Sequence, residues 1–135
     1  MSERLHALRR IAKVQAQMTR MAEWRLAGTE RRLAELASRR ETLDSFLLAG
    51  DVGRDLAALA LRQTQNLGTT ERRTAEERER DAAALLAARR MSQQVETTTA
   101  ELARAERDIA ERQDLERLME TWVAMRQDVR AGQNS

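Results

Sequence analysis

The chain has 135 residues and a formal net charge of +2, with 34% charged and 41% apolar residues, one Phe, two Trp and no Tyr, Pro or Cys. So few aromatics leave little to fill a compact enzyme-like core, and the absence of Cys excludes disulfides and thiolate chemistry. An Ala-, Leu-, Arg- and Glu-rich chain with a helical repeat has the composition of long helices and coiled coils. The expected fold class is therefore all-α: a long antiparallel two-helix coiled-coil hairpin with unequal arms, forming a single domain over residues 1–135.

The first helix is expected over about residues 5–48. From Ala22 the spacing runs Ala22, Leu26, Thr29, Leu33, Leu36, Arg40, Leu43, Leu47, a strict alternation of four and three. That alternation is a coiled-coil seam. Upstream, Leu5, Leu8, Ile11, Val14, Met18 and Met21 read as the same apolar stripe. Their phase shifts near Met18 to Ala22, as a stutter would shift it. Gly28 is a weak point inside the helix, and Trp24 reads as a packing residue flanking the seam.

Residues 49–53, Ala-Gly-Asp-Val-Gly, form the clearest break. Gly50 suits the left-handed position after a helix, and Asp51 suits the N-cap of the next. A short helical segment is expected over 54–67. Asn66 to Thr70 reads either as a second break at Gly68 or as an irregularity inside one continuous helix. A long helix follows over about 70–130. Its seam reads Ala84, Ala88, Met91, Val95, Thr98, Leu102, Ala105, Ile109, Arg112, and Ala131 to Ser135 is expected to fray.

Two helices that each carry one apolar stripe bury it most simply by folding back on each other. If the chain turns near Asp51, Leu5 faces a residue near Thr97. If residues 50–68 are all connection, it faces one near Gln113. Either way about 20 to 35 residues of the second arm extend past the first, roughly 30 to 50 Å at 1.5 Å per residue. That overhang carries Leu115, Leu118, Met119, Trp122, Val123, Met125 and Val129. An exposed apolar patch of this kind marks a docking surface. The expected partner-binding residues are Leu115, Leu118, Met119, Trp122, Met125 and Val129. Trp122 leads, because Trp concentrates binding energy at interfaces.

No pattern carries catalysis. His6 is the only histidine and has no Cys or second His to share a metal, so neither a metal site nor a cofactor is expected. Glu76, Glu77, Glu79 and Asp81 alternate with Arg72, Arg73, Arg78 and Arg80, the pattern of a solvated helix face. No glycine-rich phosphate loop is present. Arg9, Arg10, Lys13, Arg31, Arg32, Arg39 and Arg40 make the first helix basic, but Glu23, Glu30, Glu35 and Glu41 dilute that charge. No aromatic platform for bases accompanies it, so nucleic acid is not an expected partner. No apolar run approaches the length a membrane span needs, and no secretory signal is read at the start. A cytoplasmic protein without membrane insertion is expected.

The layout adds a resemblance. A first helix beginning almost at Met1 runs Leu8-Arg9-Arg10-Ile11-Ala12-Lys13-Val14-Gln15, and a glycine-containing break follows. A longer helix then ends in a Leu-, Arg- and Glu-rich stretch from Glu101-Leu102-Ala103-Arg104 to Arg126. This resembles the FliJ family of flagellar type III export and its YscO-like counterparts in injectisomes, over nearly the whole chain. The resemblance implies a non-enzymatic stalk like the central shaft of a rotary ATPase. Such a stalk inserts the paired ends of its hairpin into a hexameric export ATPase, contacts the cytoplasmic domain of the export gate and escorts export chaperones. It implies a location in the cytoplasm, peripheral at the export apparatus. The inserted end would combine Leu5 to Arg20 with Leu115 to Val129, and the gate-contacting patch would fall around Leu56 to Gly68. The alternatives are a secretion chaperone that holds export substrates and a structural coiled coil that pairs with itself.

Overall fold

The computed structural model describes residues 2–51 and 53–133. Val52 in the expected break, Met1, and Asn134 and Ser135 of the expected fraying tail lie outside them. The chain is all-α, with α1 over Glu3–Leu48 and α2 over Arg54–Gln133, 46 and 80 residues long. The two helices pack antiparallel as a hairpin with unequal arms.

The ends of the helices follow from local chemistry. The Ser2 hydroxyl accepts the Leu5 N–H at 3.2 Å, and Glu3 stands in the first turn. Together they satisfy an orphan donor and complement the positive end of the helix. At the other end Ala49 N–H donates to the Ser45 carbonyl, and Gly50 takes φ +74°, the left-handed conformation that glycine adopts without steric cost. Asp51 is not the cap of α2. The cap position is Gly53, two residues later, whose carbonyl accepts the Ala57 N–H at 2.9 Å, and the helix starts at Arg54. The chain does not break at Gly68, because α2 passes through it unbroken. A Cβ added there would meet only the end of the Arg40 side chain, at 3.4 Å.

The packing divides into two compact units, Val14–Ser92 and Met1–Lys13 with Gln93–Ser135. In Val14–Ser92, α1 contributes Ala22, Leu26, Thr29, Leu33, Leu36, Arg40, Leu43 and Leu47, all buried or half-buried. The alternation read from the sequence is the seam observed. It continues upstream through Gln15 and Thr19, while Val14, Met18 and Met21 are exposed. The expected stutter is therefore absent. The heptad phase runs straight through small and polar residues, and the larger apolar ones are left one position off the seam. From α2 come Ala57, Ala60, Thr64, Leu67, Glu71, Thr74, Asp81, Leu85, Ala88 and Ser92. Trp24 does not flank the packing; it is 76% exposed.

This seam holds two polar layers. The Thr29 side chain is fully buried, and its hydroxyl donates to Asp81 Oδ2 at 2.6 Å. The Arg25 carbonyl stands as a second acceptor at 3.1 Å, and Arg32 Nη2 donates to the same hydroxyl at 3.2 Å while pairing with Glu77. Nearer the turn, Arg40 Nε donates to Glu71 at 2.9 Å. Pairs Arg78–Glu30 and Arg89–Glu23 line the edges at 3.5 Å. Such exposed pairs contribute little energy. A buried polar residue in a seam, by contrast, penalises every register that leaves it unpaired.

In the other unit, α1 contributes Leu5, buried, and Leu8 and Ala12, half-buried. Val95, Thr99, Leu102, Ala103 and Glu106 of α2 are also half-buried. Val95 and Leu102 were expected in the seam, as was Ala88 in the other unit. Their expected companions Ala84, Met91, Thr98, Ala105, Ile109 and Arg112 are exposed. The second column of the seam lies one residue later, at Leu85, Ser92, Thr99 and Glu106. Ranking by hydrophobicity favoured Ala and Met over Ser, Thr and Glu. The packing instead keeps the heptad phase that buries Leu67 and Leu85.

Candidate partner-binding face

The end of α2 has no covering helix. Ser2, Leu5 and Arg9 of α1 share a shallow groove with α2 residues from Ala103 to Gln113. Leu5 thus stands between the two levels that the alternative turns predicted. Beyond Gln113 about 20 residues of α2 remain, about 30 Å of helix. Every described residue from Arg107 to Gln133 is exposed. Leu115, Leu118, Met119, Trp122, Met125 and Val129 each keep 60–66% of their surface open. The six expected partner-binding residues are therefore on one segment and accessible.

Their direction was not legible from the list of apolar residues. Continuing the half-buried columns of Val95, Thr99, Leu102 and Glu106 along α2 leads to Gln113, Glu116, Glu120, Val123, Gln127 and Arg130. That continuation is mostly polar. Leu115, Leu118, Trp122, Met125 and Val129 form a different row, also spaced three and four apart. At 3.6 residues per turn it lies about 150° around the helix from the α1-facing columns. The end of α2 is therefore two-faced, and its apolar row points away from the side on which α1 packs. Leu5 and Arg9 of the expected inserted end lie beside the earlier part of α2, in the groove with Ala103 to Gln113, and on its other side from the apolar row.

Trp122 is the centre of the row. The Arg126 guanidinium lies 5.2 Å from its ring centroid, one turn later, a cation–π contact that holds the ring against the helix. Val123, Arg126, Gln127 and Arg130 border the same shallow depression. Among the described residues no cluster of His, Cys, Asp or Glu could hold a metal ion, and no helix is long and apolar enough to cross a membrane. His6 is exposed.

Two further apolar sets lie open in Val14–Ser92. Val14, Met18 and Met21 form a short row beside the α1 seam, which sequence reasoning assigned to the core. Around the turn, Phe46, Leu48, Leu56, Leu59 and Leu61 are exposed. In the stretch Leu56 to Gly68, Ala60 and Leu67 are buried, so only part of that patch is open to a partner. No family model matches this chain, and no curated protein and no solved structure matches it either.

Proposed function

We propose that this chain is a non-enzymatic stalk or adaptor of a type III protein export apparatus, flagellar or injectisome. It would act in the cytoplasm, peripheral at that apparatus. It would bind a hexameric export ATPase through the end of α2 and the cytoplasmic domain of the export gate through open residues near the turn. The observation that carries the reading is the exposed apolar row from Leu115 to Val129 on a helix end that α1 does not cover. A rigid helix bearing a bounded apolar row is suited to seat in a larger protein, because its ordering cost is met before binding. The layout resemblance to the FliJ family supplies the identity of the partner.

The test is titration of the chain into the export ATPase of the same organism, following hexamer formation and ATP hydrolysis. Stimulation that saturates near one chain per hexamer is expected, as is its loss in Trp122→Ala with helical content unchanged. A folded chain that neither binds nor stimulates overturns the reading. Tight binding of a disordered export substrate without any effect on the ATPase would make the chain a secretion chaperone instead.

A further inference from the structure

We infer that the apolar row at the end of α2 is a self-pairing surface, where two copies of this chain associate with their α2 ends side by side and running in the same direction. The row Leu115, Leu118, Trp122, Met125, Val129 is itself a heptad seam, with steps of three and four. It lies on the opposite side of α2 from the α1-facing columns, so a second copy and α1 do not compete for one face. The row is bounded. One heptad upstream its columns hold Asp108 and Glu111, and downstream they reach Gly132. The contact is therefore about two heptads long, a small interface that forms a weak, concentration-dependent pair.

The charged edges select the direction. On one side of the row stand Asp114, Thr121 and Asp128; on the other stand Arg112, Met119 and Arg126. In a parallel pair each residue of the first edge faces the second-edge residue five positions on in the other copy, so Asp114 faces Met119 and Thr121 faces Arg126, and no like charges meet along the row. In an antiparallel pair with the rows overlapped, Asp114 meets Asp128 and Arg112 meets Arg126, each twice. Like charges held together across a seam oppose association. Arg117 reaches Asp114 at 4.0 Å, but both side chains are more than 70% exposed, and so loose a pair leaves the acidic edge in place. In the parallel pair Trp122 faces its own counterpart in the middle layer, where two aromatic rings attract each other beyond the area they bury. Helix formation adds no cost, because the segment is already the end of an 80-residue helix.

This inference does not rest on the export reading: a second copy and an ATPase would use the same row and exclude each other, so the pair is the state of the chain without that partner, and its test uses the chain alone. Sedimentation of the wild-type chain over rising concentration should show the mass climb from one chain toward two. Leu118→Glu should stay at one chain with unchanged helical circular dichroism. Because the chain has no Cys, single-cysteine variants report direction cleanly. Leu115→Cys and Val129→Cys should each cross-link to themselves under mild oxidation, and Gln127→Cys, on the opposite face, should not. A wild-type chain that remains single at every concentration overturns the proposal. So does a pair that survives Leu118→Glu, or a Leu115→Cys that links to Met125→Cys in a mixture but not to itself.

Discussion

Val14–Ser92 and the unit that contains the end of α2 are built from the same two helices, yet they use polar residues in opposite ways. In Val14–Ser92 the polar groups are inside. Thr29 and Asp81, and Arg40 and Glu71, cross the seam at 2.6 and 2.9 Å. In the other unit the continuation of the α1-facing columns becomes polar without a partner, and the large apolar residues move to the outer face of α2. Hydrophobic content alone therefore separates buried from exposed residues poorly here. Along the length that α1 covers, what separates them is whether an apolar residue falls in the phase of the buried columns; past that length Ile109 and Val123 keep the phase and are exposed.

The sharpest way to break this comparison is one chemical change made in both units. Leu36 is buried to 9% exposure, and Leu36→Ala should destabilise the hairpin by about 2–4 kcal/mol, the range for deleting a buried leucine. A large fall in the urea midpoint measures it. Thr29→Val should cost about 1–2 kcal/mol, because it keeps the volume but strips Asp81 of its short hydrogen bond. Converting Asp81 to Leu in the same chain should recover most of that loss, since two well-packed apolar groups replace a polar pair without penalty. If the double variant also shows slipped pairing in cross-linking between the arms, the polar layer sets register. If pairing stays uniform, the apolar seam alone sets it.

Gly28→Ala should change stability by about 1 kcal/mol in the other direction, because it removes the flexibility of a mid-helix glycine. A Cβ built there meets nothing within 4 Å. Smallest of all, Leu118→Ala should change the unfolding free energy by less than about 0.5 kcal/mol, as an exposed position does, leaving the urea midpoint almost unmoved while weakening whatever docks on the outer face. A Leu118→Ala effect as large as that of Leu36→Ala would show that the end of α2 is packed in solution.

Most of the fold was legible because α1 from Ala22 onward puts leucine in its seam often enough to fix the phase. Leu26, Leu33, Leu36, Leu43 and Leu47 left one reading of that half. The break was legible from Gly50, whose positive φ a glycine accommodates. The upstream half of α1 was misread because Gln15 and Thr19 hold the seam while Val14, Met18 and Met21 stand beside it. There the phase is imposed by the helix already committed downstream, not by local hydrophobicity. The same competition hid the second column of α2, where Ser92, Thr99 and Glu106 outrank Met91, Thr98 and Ala105. The candidate site was legible as a set of residues, since leucines and a tryptophan past the end of a shorter arm have nothing to cover them. Its direction became legible only once the buried columns fixed the phase of α2.

That phase has a consequence for grafting. A helix spliced onto the start of α1 in register would lie along Gln113, Glu116, Glu120, Val123, Gln127 and Arg130, a mostly polar track that would reward lysine or arginine beside Glu116 and Glu120 more than a run of leucines. Lengthening the short arm to match the long one would thus leave Trp122 as open as before. A capping domain meant to hide the tryptophan has to arrive from the far side of α2.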